Sequence, residues 1–96
     1  LPVDERTFAL RAKGDSMKDK GIHDGDLLVV QHQADAESGD VIVAMLDGEA
    51  TVKTLIRRTD GITLQPANDL YDPIRIPIAH PGFRICGKVV GVIHRV

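Results

Sequence analysis

Aromatic residues are scarce in this chain: two Phe, one Tyr and no Trp among 96 residues. Any core must therefore be aliphatic. Cysteine is scarcer still. Cys86 stands alone, so no internal disulfide can form and an oxidising compartment is not implied. Within "FRICGKVVGVI" it reads as a small buried hydrophobe. Basic charge is not in excess: 12 Lys and Arg against 14 Asp and Glu leave a net charge of −2. That gives no basic face for a phosphate backbone, and the pair Arg57-Arg58 reads as a solvated strand edge. No apolar run approaches the length of a membrane span. His23, His32, His80 and His94 are scattered, with no pair at metal-ligand spacing. No glycine-rich strand-to-helix loop ends in a lysine, so no phosphate cradle is expected. Neither a metal nor a cofactor is expected. There is no internal repeat and no low-complexity segment.

What is present is strand after strand. Residues 7–13, 26–31, 40–46, 49–58, 62–66, 72–78 and 83–96 alternate or run apolar over short lengths. Asp47-Gly48 lies between two such runs and predicts a tight hairpin with positive φ at both turn positions. Asp60-Gly61 reads as the same device. Prolines in "DPIRIPI" confine that segment to an edge or a loop. Gly87 and Gly91 predict bends or close backbone approach in the last strand. Helical periodicity is weak, with one or two turns at 16–22 stopped by Gly21. The expected fold is mainly β: one compact domain, 1–96, of short, strongly curved strands.

Two residues stand out for chemistry. Ser16, in "GDSM", sits on a glycine-flanked bend at the start of the short helical segment. Unpaired N–H groups at such a bend can donate to a capping side chain or to an oxyanion, so Ser16 reads either as an N-cap or as a nucleophile. The pairs Asp15/Asp19 and Asp24/Asp26 read as turn and cap residues ahead of a cation site. Lys53 lies mid-strand in "EATVKTLIRR", with Thr51 and Leu55 on its own face. It reads either as a solvated lysine with a packed stem or as a buried amine. Burial would lower its pKa, and a neutral amine can take the proton of a serine hydroxyl. Thr51 could orient it.

These pieces resemble the C-terminal, self-cleaving domain of LexA-type repressors. The resemblance rests on "GDSM" with "GIHDGDLLVV", on "SGDVIVAMLDGEATVKTL", on "LQPANDLYDPI" and on "GKVVGVIHRV", in that order. It covers nearly the whole chain, with 37 positions from Ser16 to Lys53 as in the family. It implies a curved β fold like that of LexA and the signal peptidases. It implies Ser16 as nucleophile, Lys53 as general base, the backbone N–H groups of Asp15 and Ser16 as oxyanion hole, and Thr51 as support for the lysine. Met17 is expected to pack. The implied reaction is hydrolysis of one Ala-Gly or Cys-Gly bond in the protein's own hinge, promoted by a RecA–single-stranded DNA filament. The implied partners are a second copy, with the C-terminal strand at or near the interface, and operator DNA through a separate N-terminal domain. The implied location is the bacterial cytoplasm, with no membrane. No Ala-Gly or Cys-Gly pair and no helix-turn-helix precede Ser16, and the chain begins at Leu1. The expectation is a catalytic core without its DNA-binding half and cleavage segment. The related alternatives are a UmuD-like or phage-repressor domain, and a non-catalytic dimerisation module.

Overall fold

The short alternating runs fold as strands. The computed structural model describes residues 6–95. Its strands are β1 (Thr7–Arg11), β2 (Leu27–His32), β3 (Val41–Leu46), β4 (Glu49–Arg58), β5 (Gly61–Gln65), β6 (Ile74–Pro77) and β7 (Phe83–Ile93). They form one antiparallel sheet in the order β1-β2-β7-β3-β4-β5-β6. The helical expectation reduces to a single 3₁₀ turn, Lys18–Lys20, ended by Gly21 in the left-handed region. A radius of gyration of 12.9 Å suits one domain of this length. Among the described residues no helix is long and apolar enough to cross a membrane.

Turn chemistry sets the neighbours. Asp47 and Gly48 both take positive φ, 50° and 88°, and join Leu46 to its partner Glu49. This twist matches that of the flanking strands, so β3 and β4 form a tight hairpin. The Asp60-Gly61 expectation needs correction. Arg58 pairs with Gly61, so the turn residues are Thr59 and Asp60, and Asp60 does not have positive φ. β6, with its proline, lies at the sheet edge, where a missing N–H costs no ladder bond.

The last strand curls the sheet. β7 is inserted between β2 and β3. Val29 pairs with Gly91 but Val30 with Val89, leaving Val90 as an extra residue. Val43 pairs with Gly87 but Ala44 with Ile85, leaving Cys86 extra. Two bulges in one strand bend it and raise its twist. A Cβ on Gly87 would stand 2.5 Å from the Gln31 carbonyl oxygen and 2.6 Å from Val30 Cγ1, so β2 approaches too closely there for any side chain. Cys86 is half-buried at its bulge rather than fully buried.

The core is aliphatic, as the composition requires. One cluster unites Ala12, Met17, Ile22, Leu28, Val30 and Val43. The other unites Ala36, Ile42, Ala44, Leu55, Leu64 and Ile76. Burying each large aliphatic side chain contributes about 1.5–3 kcal/mol. Met17 belongs to the first cluster and Leu55 to the second, so each neighbours a residue of chemical interest.

Candidate active site

Ser16 is held at the surface of the first cluster by its neighbours. Gly14 turns the chain with φ 76°, and its N–H donates to the Asp24 carboxylate at 2.8 Å. Met17 is only 3% exposed and anchors the other side of the serine. The N-cap reading of Ser16 does not hold: Met17 occupies that position, and no side chain caps the 3₁₀ turn. The hydroxyl is thus left to face a cleft of about 450 Å³. Its walls are two consecutive stretches, residues 10–14 and 49–53, with apolar surface from Leu10, Ala12, Met17, Ile22 and Val52.

Lys53 enters the cleft from β4. Its Nζ lies 3.0 Å from Ser16 Oγ and 3.0 Å from Thr51 Oγ1. The strand period places Thr51 and Lys53 on one face, so the threonine hydroxyl reaches the amine of its second neighbour. No carboxylate pairs with Lys53 among the described residues. Burial therefore depresses its pKa below the ordinary lysine value. As an ammonium it donates to both hydroxyls. As a neutral amine its lone pair can accept the Ser16 proton across the same 3.0 Å.

The N–H groups of Asp15, Ser16 and Met17 donate to no acceptor among the described residues. The sequence-predicted residues Asp15, Ser16, Thr51 and Lys53 thus come together in one place. The other candidates do not join them. Asp26 is buried and receives the backbone N–H groups of His23 and Arg95 and a bond from His94 Nδ1 at 3.0 Å. Arg57 pairs with Asp35 and donates to the Ala36 carbonyl. No group of three or more His, Cys, Asp or Glu among the described residues could hold a metal ion.

Sequence reasoning missed the loop beneath the serine. The Ala67 N–H donates to the Ser16 carbonyl at 2.8 Å, and the Asp19 N–H donates to the Ala67 carbonyl at 2.8 Å. Asn68 Nδ2 donates to the Asp15 carbonyl at 2.9 Å, and the Tyr71 hydroxyl donates to the Asp15 carboxylate at 2.6 Å. These residues lie in "LQPANDLYDPI", which carried part of the resemblance without suggesting a contact.

An aliphatic β domain with a serine hydroxyl beside a lysine amine in a surface cleft has the features of a serine peptidase. Residues 2–90 match the Peptidase S24-like family, and the chain belongs to it. It is 48% identical to the LexA repressor of Syntrophomonas wolfei, over the whole of this chain and 47% of that protein. It is 52% identical to the LexA repressor of Magnetococcus marinus, over 96% of this chain and 42% of that protein. With the LexA repressor of Syntrophotalea carbinolica it shares 56% over 90% of this chain and 42% of that protein. The chain spans a little under half the length of these curated relatives.

Proposed function

We propose that the chain is the peptidase domain of a LexA-type repressor, in which Ser16 and Lys53 form a Ser–Lys dyad. The observation that carries this reading is the 3.0 Å approach of Lys53 Nζ to Ser16 Oγ, with no carboxylate paired to the lysine among the described residues. Neutral Lys53 removes the Ser16 proton as Oγ attacks a peptide carbonyl carbon. The N–H groups of Asp15 and Ser16 stabilise the tetrahedral oxyanion. The Lys53 ammonium then gives its proton to the leaving amine, and an acyl-serine remains. Water, deprotonated by the same lysine, attacks the ester, and the lysine returns that proton to Ser16 Oγ as the acid leaves. Thr51 orients the amine through its own hydrogen bond.

The cleft suits an extended, small-residue segment. β4 pairs with β5 only from Thr54 onward, so the outer edge of residues 49–53 has no strand partner among the described residues. β1 is likewise an edge strand. Both edges line the cleft, and an extended peptide can add to such edges through its backbone. In this reading the substrate is a hinge bond in the longer protein's own chain. A RecA–single-stranded DNA filament favours the docked conformation, and operator DNA is bound by a separate domain. The domain also pairs with a second copy, for which the exposed Val90 and Ile93 of β7 offer apolar surface. Such a protein works in the bacterial cytoplasm.

Cleavage in trans tests the proposal. The chain is mixed with a separate peptide carrying the hinge of its full-length protein, and scission is followed by mass spectrometry from pH 7 to 10. Cleavage is expected to rise with pH and to vanish in Ser16→Ala and Lys53→Ala. Equal inertness of wild type and both variants with a bound hinge peptide would make the domain a dimerisation module.

A further inference from the structure

We infer that Asn68 is a positioning residue for this reaction, gripping the Asp15 carbonyl so that the Ser16 N–H is aimed at the oxyanion. The inference rests on the dyad reading above. Its ground is the geometry of one peptide unit. The Asp15 C=O and the Ser16 N–H belong to the same planar trans amide and point in opposite directions. Whatever fixes the carbonyl therefore fixes the direction of the N–H. Asn68 Nδ2 donates to that carbonyl at 2.9 Å.

Asn68 is built for this. It is a polar side chain only 4% exposed, and a buried amide is costly unless its groups are paired. Both ends are paired: Nδ2 with the Asp15 carbonyl, and Oδ1 with the Leu70 N–H at 3.0 Å. The Leu70 N–H requires an acceptor, which fixes the orientation of the amide and leaves its donor end toward Asp15. The next peptide unit is held from the same loop, since the Ala67 N–H donates to the Ser16 carbonyl at 2.8 Å. Two successive carbonyls of the nucleophile turn are thus drawn toward 67–68, and their N–H partners face away from it with no acceptor among the described residues. The Lys18 N–H also reaches the Asp15 carbonyl, at 3.2 Å. That bond closes the turn on itself and can keep it folded when Asn68 changes.

The test separates aiming from folding. Asn68→Asp keeps the shape and the acceptor for the Leu70 N–H but puts a carboxylate oxygen where the donor was. Asn68→Ala removes both bonds without adding charge. Tyr71→Phe removes only the bond to the Asp15 side chain and serves as the control. Losing one oxyanion donor outright costs about 100–1,000-fold in kcat; a misaimed donor should cost about 10–100-fold. Both Asn68 variants are expected to lose that much kcat on the hinge peptide, with KM within about twofold of wild type; in Asn68→Ala, which adds no charge, the pH midpoint of the rate should be unchanged. Binding of an alanine boronate peptide, which forms a tetrahedral adduct on serine, should weaken by the same factor. Tyr71→Phe should stay within about threefold of wild type. The inference is overturned if the Asn68 variants cleave like wild type, if the pH midpoint moves in Asn68→Ala, or if boronate and uncleaved hinge peptide weaken equally. It is overturned also if Tyr71→Phe loses as much as they do. A folded wild type that neither cleaves the hinge peptide nor forms the adduct would sink the dyad reading itself, and this inference with it.

Discussion

Lys53 should leave one signature in stability and another in rate, both set by the same proton. Consider Lys53→Met, which keeps the length of the apolar stem and removes the amine. In the folded protein, burial favours the neutral amine. In the unfolded chain the lysine stays protonated up to its ordinary value of about 10.5. Between the depressed folded value and the unfolded one, the unfolded state binds more protons. Wild-type stability therefore rises with pH across that window, by at most about 1.4 kcal/mol per pH unit for one proton. Methionine carries no such dependence. The variant also loses two hydrogen bonds, each contributing about 0.5–1.5 kcal/mol, but that loss does not change with pH. Urea unfolding of both proteins at half-unit steps from pH 7 to 10.5 isolates the proton, because every other titrating group cancels in the difference. Wild type should gain on the variant as pH rises from the folded value toward the unfolded one. Cleavage of the hinge peptide should rise tenfold per pH unit below the folded pKa and level off above it. A wild-type-minus-variant difference that is flat with pH, or a rate midpoint at the ordinary lysine value, would refute the depressed amine.

Gly87→Ala should destabilise the protein by about 1–3 kcal/mol in chemical denaturation, because the new Cβ meets the backbone carbonyl of Gln31 as well as Val30; a loss below about 0.5 kcal/mol would mean that β2 and β7 separate freely. Asp26→Asn should flatten the acid limb of stability. The His23 N–H above all holds this carboxylate below the ordinary value of 3.8, and the bonds from His94 and Arg95 add to it. Its contribution is present above 3.8 and is lost as pH falls through the folded value. Acid titration of unfolding that shows the same limb in both proteins would exclude Asp26 as a source; a residual limb is expected from Asp40, also held low by the Glu37 N–H and Lys88.

Local pattern and non-local pairing divide what could be read beforehand. The run "EATVKTLIRR" has the bounds of β4, because strand alternation and the Asp47-Gly48 turn are both encoded within a few residues. β6 at the edge followed from proline chemistry. Asp60-Gly61 misled, since the same dipeptide is displaced by one position when Arg58 pairs with Gly61. The insertion of β7 between β2 and β3 leaves no local trace, and neither do its bulges beyond two glycines. In the site, the types and faces of Ser16, Thr51 and Lys53 were legible, while burial of the lysine was not, because it depends on strands far apart in sequence. Asn68 was illegible for the same reason: its partner lies 53 residues away.

The position of β7 orders events during synthesis. The serine follows β1 and the lysine lies in β4, and within the sheet those two halves are joined only through the last strand. A ribosome that has made both residues has not yet made the strand that seats one beside the other. A growing chain therefore carries the proposed nucleophile and base on parts of the sheet that stay unjoined until β7 has emerged and inserted. Truncation before Phe83 would leave every residue of the proposed dyad present and the sheet unable to bring them together.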